Sequence, residues 1–440
     1  MKLRIRNGRV IDPASGFDAP ADVFIADGAI VDIVATAEKV GIGGTAARAP
    51  AGFHAEREID AAGCIVCPGL VDLSARLREP GFEYKATLES EMAAAAAGGV
   101  TRLACSPDTD PVLDEPGLVE MLAHRARAPG FAHVHPVGAL TTQLAGEQLT
   151  EMAELAEAGC IAFGQANRAI VDTQVLLRAM QYAATFGFPV WLQAQDPFLA
   201  NQGVAHDGEI AARLGLAGIP VVAETIALAT LLQLARETGA RLHLTRISSA
   251  AGIEMIVAAR AAGIAVTCDV AAHYLHLCDY DIGFFDAHAR LDPPLRSQRD
   301  RDALRAALAS GAIDALCSDH TPVDDDGKQL PFAEAEAGAS GLELLLPLTL
   351  KWAQEMHLPL PAALARITAD PARVLGIESA GRLAVGLPAD LCIFDPAAEF
   401  VVSRETLKSQ GKNTPFLGIA LPGRVRYTLI GGALAYAAPA

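Results

Sequence analysis

The stretch that decides the fold is residues 68–81, which read PGLVDLSARLREPG. It opens with a strand-like apolar run, and from there the chain alternates short β-rich runs with longer runs rich in Ala, Leu and Glu. The β-rich runs lie at residues 71–74, 101–105, 133–137, 160–163, 189–193, 241–247, 264–270 and 312–318. Eight strands that alternate with helices favour a closed, parallel (β/α)8 TIM barrel.

The helical runs between these strands include residues 88–97, 150–158, 174–186, 224–238, 251–262 and 299–309. A doubly wound open sheet is the alternative architecture for such an α/β pattern. That fold would need a Gly-rich phosphate-binding turn after its first strand, and the sequence has none there. We therefore predict a barrel over residues 67–377.

The two ends of the chain have a different character, since residues 1–66 and 378–440 are rich in short strands and turns. Terminal β segments that flank a barrel can pair with each other, so we predict one small β-sandwich built from both ends. Residues 41–52 are rich in Gly and Ala and are predicted to form a loop.

Composition limits the partners that this protein can have. The 440 residues carry a formal charge of −17, and such an acidic surface repels nucleic acid and anionic lipid. No apolar run reaches the roughly 20 residues of a membrane span, and the first residues lack the apolar stretch of a signal peptide. The eight cysteines include one C-x-x-C, Cys64 and Cys67, for which a zinc or redox role is the alternative to simple packing. We expect a reduced, cytoplasmic protein.

Residues 68–81 resemble the first barrel strand of the cyclic amidohydrolases, and the ending LREPG narrows the resemblance to the dihydroorotase family. Further segments that resemble this family are ACSPDTDPVLD (104–114), residues 147–163, PPLR (293–296), SDHTP (318–322) and GKNTPF (411–416). The resemblance therefore covers nearly the whole chain. It implies an amidohydrolase-type barrel with chemistry at the C-terminal ends of the strands.

The resemblance also implies a zinc site, and this chain departs from it. In the family the first strand carries His-x-His, because side chains two apart on a strand face the same side and both reach one zinc. Here those positions are Ser74 and Arg76, and the family's His ligands on strands five and six are Gln193 and Arg246. An arginine is a permanent cation with no lone pair to offer a metal.

Two further ligand positions complete the comparison with the family. After strand four the family has Asp-Asp-Gly, whereas residues 164–167 read GQAN and carry no carboxylate. Only the acid of strand eight is kept, as Asp319, a vestigial catalytic position. We therefore expect no zinc, and we expect Asp319 to be a buried acid paired with Arg76 or Arg246 rather than a general base.

The substrate side of the implied site is also altered. Arg78 is the family's arginine for the dihydroorotate carboxylate and is kept, although it can equally brace Glu79 or a loop carboxylate. Asp108 and Asp292 stand where the family has asparagines, and an acid there repels an anionic substrate. Val323 replaces an expected histidine, and residues 336–338 replace a Pro-Phe-Gly loop.

Other histidines offer alternatives that we weigh against structural roles. His133 and His135 form a His-x-His on the third strand, which can mark a relocated metal site, but no acid or third histidine follows at ligand spacing. His320 follows Asp319 directly and so points away from it, and His273 follows strand seven. Both are predicted to be structural.

Two functions remain open at this point. The first is a non-catalytic, dihydroorotase-like subunit of pyrimidine biosynthesis that builds and regulates aspartate carbamoyltransferase, as the family resemblance implies. Loops 195–207 and 331–340 at the barrel mouth are the predicted contacts, and a homo-oligomer is a further possibility. The second is an active dihydroorotase or related cyclic amidase with an atypical or absent metal site.

Overall fold

The computed structural model describes residues 2–36, 50, 52–128 and 130–439, so the predicted loop at 41–52 falls largely outside the described residues. Numbered along the chain, the strands are β1 (Lys2–Asp12), β2 (Phe17–Ala26), β3 (Ala29–Ala35), β4 (Arg57–Asp60), β5 (Ile65–Pro68), β6 (Leu70–Ala75), β7 (Val100–Cys105), β8 (His133–Ala139), β9 (Ala162–Gly164), β10 (Pro189–Gln193), β11 (Ala205–His206), β12 (Gly218–Ile219), β13 (Arg241–Thr245), β14 (Val266–Ala271), β15 (Ala315–Cys317), β16 (Leu391–Val401), β17 (Ala420–Ile430) and β18 (Ala433–Ala437).

The helices lie almost wholly between the strands β6 and β16. They are α1 (Leu88–Ala97), α2 (Pro116–Arg125), α3 (Met152–Glu157), α4 (Thr173–Phe186), α5 (Pro197–Ala200), α6 (Glu209–Leu214), α7 (Val221–Thr238), α8 (Ala250–Ala261), α9 (Gln298–Ser310), α10 (Asp325–Gln329), α11 (Leu345–Glu355), α12 (Leu360–Ala365) and α13 (Ala369–Leu375). Across the described residues, no helix combines the length and the apolar character needed to cross a bilayer.

Eight parallel strands form the barrel, in the order β6-β7-β8-β9-β10-β13-β14-β15. The first and last strands meet where the backbone N–H of His320 donates to the carbonyl of Ser74 at 3.1 Å. The N–H of Arg76 returns a bond to the carbonyl of His320 at 2.8 Å. The predicted (β/α)8 architecture is confirmed, and every C-terminal strand end faces one rim, here called the mouth.

Local sequence signals fix the helices that surround the barrel. Side-chain caps satisfy free N–H groups at the first turns of four helices, which lie at the mouth end because each follows a strand. The capping residues are Thr87, Asp172, Ser249 and Ser297. At its other end α4 stops at Gly187, whose φ of 72° suits a residue without a Cβ.

Both chain ends join in one sheet beside the barrel, as predicted. Its strand order is β18-β17-β16-β5-β1-β2-β3, with β4 on β1. Strand β16 from the C-terminal part pairs antiparallel with β5 from the N-terminal part, with Ile393 opposite Val66. Two polar contacts tie the sheet to the barrel: Arg102 donates to Asp390 at 2.9 Å, and the hydroxyl of Thr428 donates to the carbonyl of Ala96 at 2.7 Å.

Candidate functional site

The mouth of the barrel brings together all five side chains that the sequence placed at or near the ligand positions. They are Ser74, Arg76, Gln193, Arg246 and Asp319, and each lies at or just beyond the end of a barrel strand. Arg246 and Asp319 have φ of 55° and 46°. These left-handed backbone angles are uncommon outside glycine and concentrate at functional positions.

Arg246 occupies the middle of this group. Its Nη1 donates to Oδ1 of Asp319 at 3.1 Å, and its Nη2 donates to Oδ1 of Asn167 at 2.7 Å and to Oε1 of Gln193 at 2.9 Å. Only 4% of the residue is exposed. Burial opposes its charge, but the carboxylates of Asp319 and Asp292 outweigh that effect and raise the pKa of Arg246. The guanidinium therefore holds a fixed positive charge at the centre of the mouth.

Arg76 supplies a second buried guanidinium beside the first. Its Nε donates to Oδ2 of Asp108 at 2.7 Å, its Nη1 to the hydroxyl of Thr321 at 2.9 Å and its Nη2 to Oδ1 of Asn167 at 2.6 Å. Burial would raise the pKa of Asp108, but the charge of Arg76 and the hydrogen bonds hold it well below its usual range. Asp108 is thus a paired carboxylate, and its predicted repulsion of an anionic substrate stays a prediction.

Asp319 is buried between the two arginines. Its Oδ1 accepts from Arg246 and lies 3.5 Å from Nη1 of Arg76, while the hydroxyl of Ser74 donates to the same oxygen at 3.4 Å. His273 approaches the other oxygen, with Nε2 at 4.0 Å from Oδ2. The pairing predicted for Asp319 is confirmed, with both arginines rather than one.

Two amides connect the arginines to a third acid at the outer edge of the mouth. Asn167 donates through Nδ2 to Oδ2 of Asp292 at 2.8 Å, and Gln193 donates through Nε2 to Oδ1 of Asp292 at 3.2 Å. Asp292 is therefore held by hydrogen bonds as well. From the sequence, Asn167 is notable only as part of a run without a carboxylate, and Thr321 has no predicted role in the site.

These residues do not fit the zinc that the fold family implies. Zinc binds electron-pair donors such as imidazole, thiolate and carboxylate, whereas two guanidinium groups occupy the convergence point and offer only N–H donors. In the part of the chain that the structure describes, no three His, Cys, Asp or Glu side chains come together to hold a metal ion. The only acid among the five convergent side chains already accepts hydrogen bonds.

Arg78 lies on the loop after β6. Its Nε donates to the carbonyl of Pro322 at 2.9 Å, and burial lowers its pKa. Glu79 instead pairs with Arg125 and accepts from the N–H of Leu88 at 2.6 Å. The interpretation that Arg78 braces Glu79 is therefore wrong, and its role toward an anion stays a prediction.

The family-like segment 411–416 reaches the mouth from the terminal part of the chain. Asn413 accepts from the N–H of Val323 at 2.9 Å and donates to the carbonyls of Thr321 and Gly338, both at 3.0 Å. Residue 323 and the loop 336–338, both altered relative to the family, are thereby fixed by one asparagine.

The other histidines lie in structural surroundings. His320 accepts at Nδ1 from the N–H of Gly341 at 3.1 Å, so its Nε2 carries the proton and donates to Glu91 at 2.5 Å. His133 contacts Asp390 at 3.3 Å, where the barrel meets the terminal sheet. His135 is on the same strand, and burial lowers its pKa to about 4. His133 therefore contacts a carboxylate of the terminal part, whereas Nε2 of His135 is buried without a hydrogen-bond partner among the described residues.

His273 allows a prediction about acid stability. Burial, helped by Arg246 and opposed by Asp319, lowers its pKa from 6.5 to about 4. Between these values the unfolded chain takes up a proton that the folded chain does not, so stability falls as the pH drops from 6.5 towards 4. Between pH 7 and pH 5, the free energy of unfolding of the wild type should fall by about 1–2 kcal/mol more than that of His273→Gln.

Urea denaturation at the two pH values measures this difference. His124 is exposed, so His124→Gln is the matched control and should show the wild-type dependence on pH. An unchanged dependence in His273→Gln would contradict the prediction.

The parallel barrel with its terminal sheet is an amidohydrolase-type (β/α)8 fold. The L-hydantoinase (dihydropyrimidinase) from Arthrobacter aurescens has a similar structure, with a TM-score of 0.84 at 24% identity over 98% of this chain and 95% of that one. At this level of identity the likeness shows the fold alone.

Sequence relatives give the family. Residues 63–251 match the family model described as dihydro-orotase-like. A dihydroorotase-like protein from Pseudomonas aeruginosa is 47% identical over 99% of this chain and 100% of its own length. A dihydroorotase from Geobacter sp. (strain M21) is 40% identical over the full length of both. The chain belongs to the dihydroorotase-like family.

Proposed function

We propose that this protein is a non-catalytic dihydroorotase-like subunit that supports aspartate carbamoyltransferase in pyrimidine biosynthesis, structurally and by regulation. The observation that carries the proposal is the pair of buried guanidinium groups, Arg76 and Arg246, at the point where the family's metal ligands would converge. The barrel is intact although its site does not fit the metal of the family, so the protein should have a role other than metal-dependent catalysis. Assembly with an enzyme of the same pathway is such a role.

The chemistry of the mouth supports the non-catalytic part of this proposal. Opening or closing a cyclic amide needs a polarised carbonyl and an activated water, which family members obtain from a metal. Asp319 is the remaining acid at a ligand position, and it accepts hydrogen bonds from Arg246 and Ser74. Asp319 is thus engaged in an ion pair and a hydrogen bond rather than left free in the mouth. The alternative, a dihydroorotase or cyclic amidase with an atypical or metal-free site, has no comparable supporting contact.

Exposed apolar side chains near the mouth support the proposed contact with the transferase. Phe198 on α5, within the candidate loop 195–207, is 75% exposed, and Phe284, in the segment after β14, is 93% exposed. Both follow C-terminal ends of barrel strands. The other candidate loop, 331–340, buries Phe332 and so offers less apolar surface. We expect an interface of at least about 1,000 Å2 that covers Phe198 and Phe284.

Co-expression with the aspartate carbamoyltransferase of the same organism tests the proposal. The two chains should co-elute at a larger mass than either alone, and the transferase should gain stability and activity by mass action. The double variant Phe198→Ser, Phe284→Ser should bind the transferase at least about tenfold more weakly and co-elute less, because exposed aromatic residues are typical interface hot spots. Phe186→Ser is the control, because Phe186 is also exposed but lies at the far end of α4.

Separate elution with unchanged transferase activity would reject the subunit role. Assembly of this chain only with itself would favour a homo-oligomer. An equal loss of transferase binding in Phe186→Ser would show that Phe198 and Phe284 do not form the contact.

A further inference from the structure

A small cavity lies inside the barrel against the two arginines. Its volume is about 40 Å3, counted over the positions that the centre of a water molecule can occupy. The polar part of its lining consists of Ser74, Arg76, Ser106, Trp191, Thr245 and Arg246. Among the residues that the structure describes, no carboxylate lines it. The described wall thus carries guanidinium, indole and hydroxyl groups, all of which can donate hydrogen bonds.

Two of these donors have no partner in the protein. Nε of Arg246 and Nε1 of Trp191 are both buried and unpaired, in residues that are 4% and 5% exposed. Leaving a buried donor unsatisfied is unfavourable, and more so for a charged group. Both residues belong to the lining of the same cavity, so an acceptor bound there would lie beside both side chains.

The charged groups at the cavity favour an anion. Its described lining holds the guanidinium groups of Arg76 and Arg246, whose ion-pair partners Asp108 and Asp319 do not belong to the lining. His273 adds no charge near neutral pH, because burial lowers its pKa to about 4. An anion in the cavity would therefore face guanidinium groups and other hydrogen-bond donors, without an acid among the described lining residues.

The volume limits the size of such an anion. One water needs roughly 10–15 Å3 measured in this way, so 40 Å3 has room for about three or four heavy atoms. Formate, nitrate and bicarbonate are of this size. Their planar oxygens also suit the fork of a guanidinium group.

We propose that this cavity is a binding site for a small planar oxyanion of single charge, of the one-carbon carboxylate or bicarbonate class, held by Arg246 and Trp191. The ion bound at the mouth would then be an anion, whereas family members bind a metal cation there. This site does not depend on the transferase partner, since all of its described lining comes from one chain.

Titration of the purified full-length protein with formate tests the site. We expect saturable binding by calorimetry or by 13C-formate NMR, and a rise of the melting temperature that gluconate at equal ionic strength, being too large to enter, does not produce. Trp191→Phe keeps an aromatic side chain but removes the indole N–H and should weaken formate binding about tenfold. Trp352→Phe is the matched control, because Trp352 is also buried with an unpaired Nε1 but does not line the cavity.

Thr245→Val provides a second variant if Trp191→Phe fails to fold, and it should also weaken binding. A crystal grown with bromide should show an anomalous peak against Arg246. Absence of saturable formate binding, equal affinity in the Trp191 and Trp352 variants, or water alone at the position in bromide would each overturn the proposal. None of these outcomes bears on assembly with the transferase.

Discussion

Replacing Arg246 by methionine is expected to lower the free energy of unfolding by about 3–5 kcal/mol. The buried guanidinium donates to Asp319, Asn167 and Gln193. Methionine fills much of the same space but removes the donor to Oε1 of Gln193, while Asn167 keeps its bond from Arg76. Among the described residues, Asp319 then has Arg76, at 3.5 Å, as its remaining arginine or lysine within ion-pair distance. Equilibrium urea denaturation at pH 7, followed by circular dichroism, measures the loss.

Two companion variants separate the network from general effects of losing an arginine. Arg301→Met removes a partly exposed ion pair with Asp302 and should cost less than about 1 kcal/mol. Adding Asp319→Leu to Arg246→Met removes the stranded carboxylate and should recover part of the loss, as replacement of a buried ion pair by apolar groups often does. If Arg246→Met costs no more than Arg301→Met, the network contributes nothing to stability.

The barrel could be predicted from the sequence because its strands and helices are long enough to show their periods. The run predicted at residues 189–193 is β10, and the run predicted at 88–97 is α1. Helix α7 begins at Val221, three residues before its predicted start, directly after Pro220. The short elements α5, α6, β11 and β12 were not predicted, since they lie between β10 and β13 as additions to the regular alternation of strands and helices.

The site was predictable only in part. Position along a strand end was enough to place Arg76, Arg246 and Asp319 together, because parallel strands end at one rim. Which polar groups pair could not be read in the same way. Asn167 and Asp292 are 125 residues apart, and both stand on loops whose path the sequence does not encode locally. From the sequence, Asp108 and Asp292 are predicted to repel an anionic substrate, and the groups that pair with them become known only from the structure.

The wild-type protein is expected to show no conversion between carbamoyl aspartate and dihydroorotate above the uncatalysed background. Metal catalysis contributes several kcal/mol of barrier lowering to such reactions, and the described mouth holds guanidinium groups where the metal would be. The measurement is an assay with added zinc on protein purified from a host lacking its own dihydroorotase, with an active family member as positive control. Elemental analysis should find no stoichiometric zinc.

Restoring the His-x-His of the first strand, by Ser74→His with Arg76→His, is expected to leave the protein inactive. Arg246 still occupies the centre of the mouth, and Gln193 and Asn167 still supply amides where the family has a histidine and an acid. The change also removes the cation that pairs with Asp108, so an uncompensated acid would then face an anionic substrate. Zinc content and turnover of the double variant, measured as for the wild type, test this. Zinc-dependent turnover in that variant would show that two imidazoles and Asp319 suffice, and that Arg246 moves aside when a metal is offered.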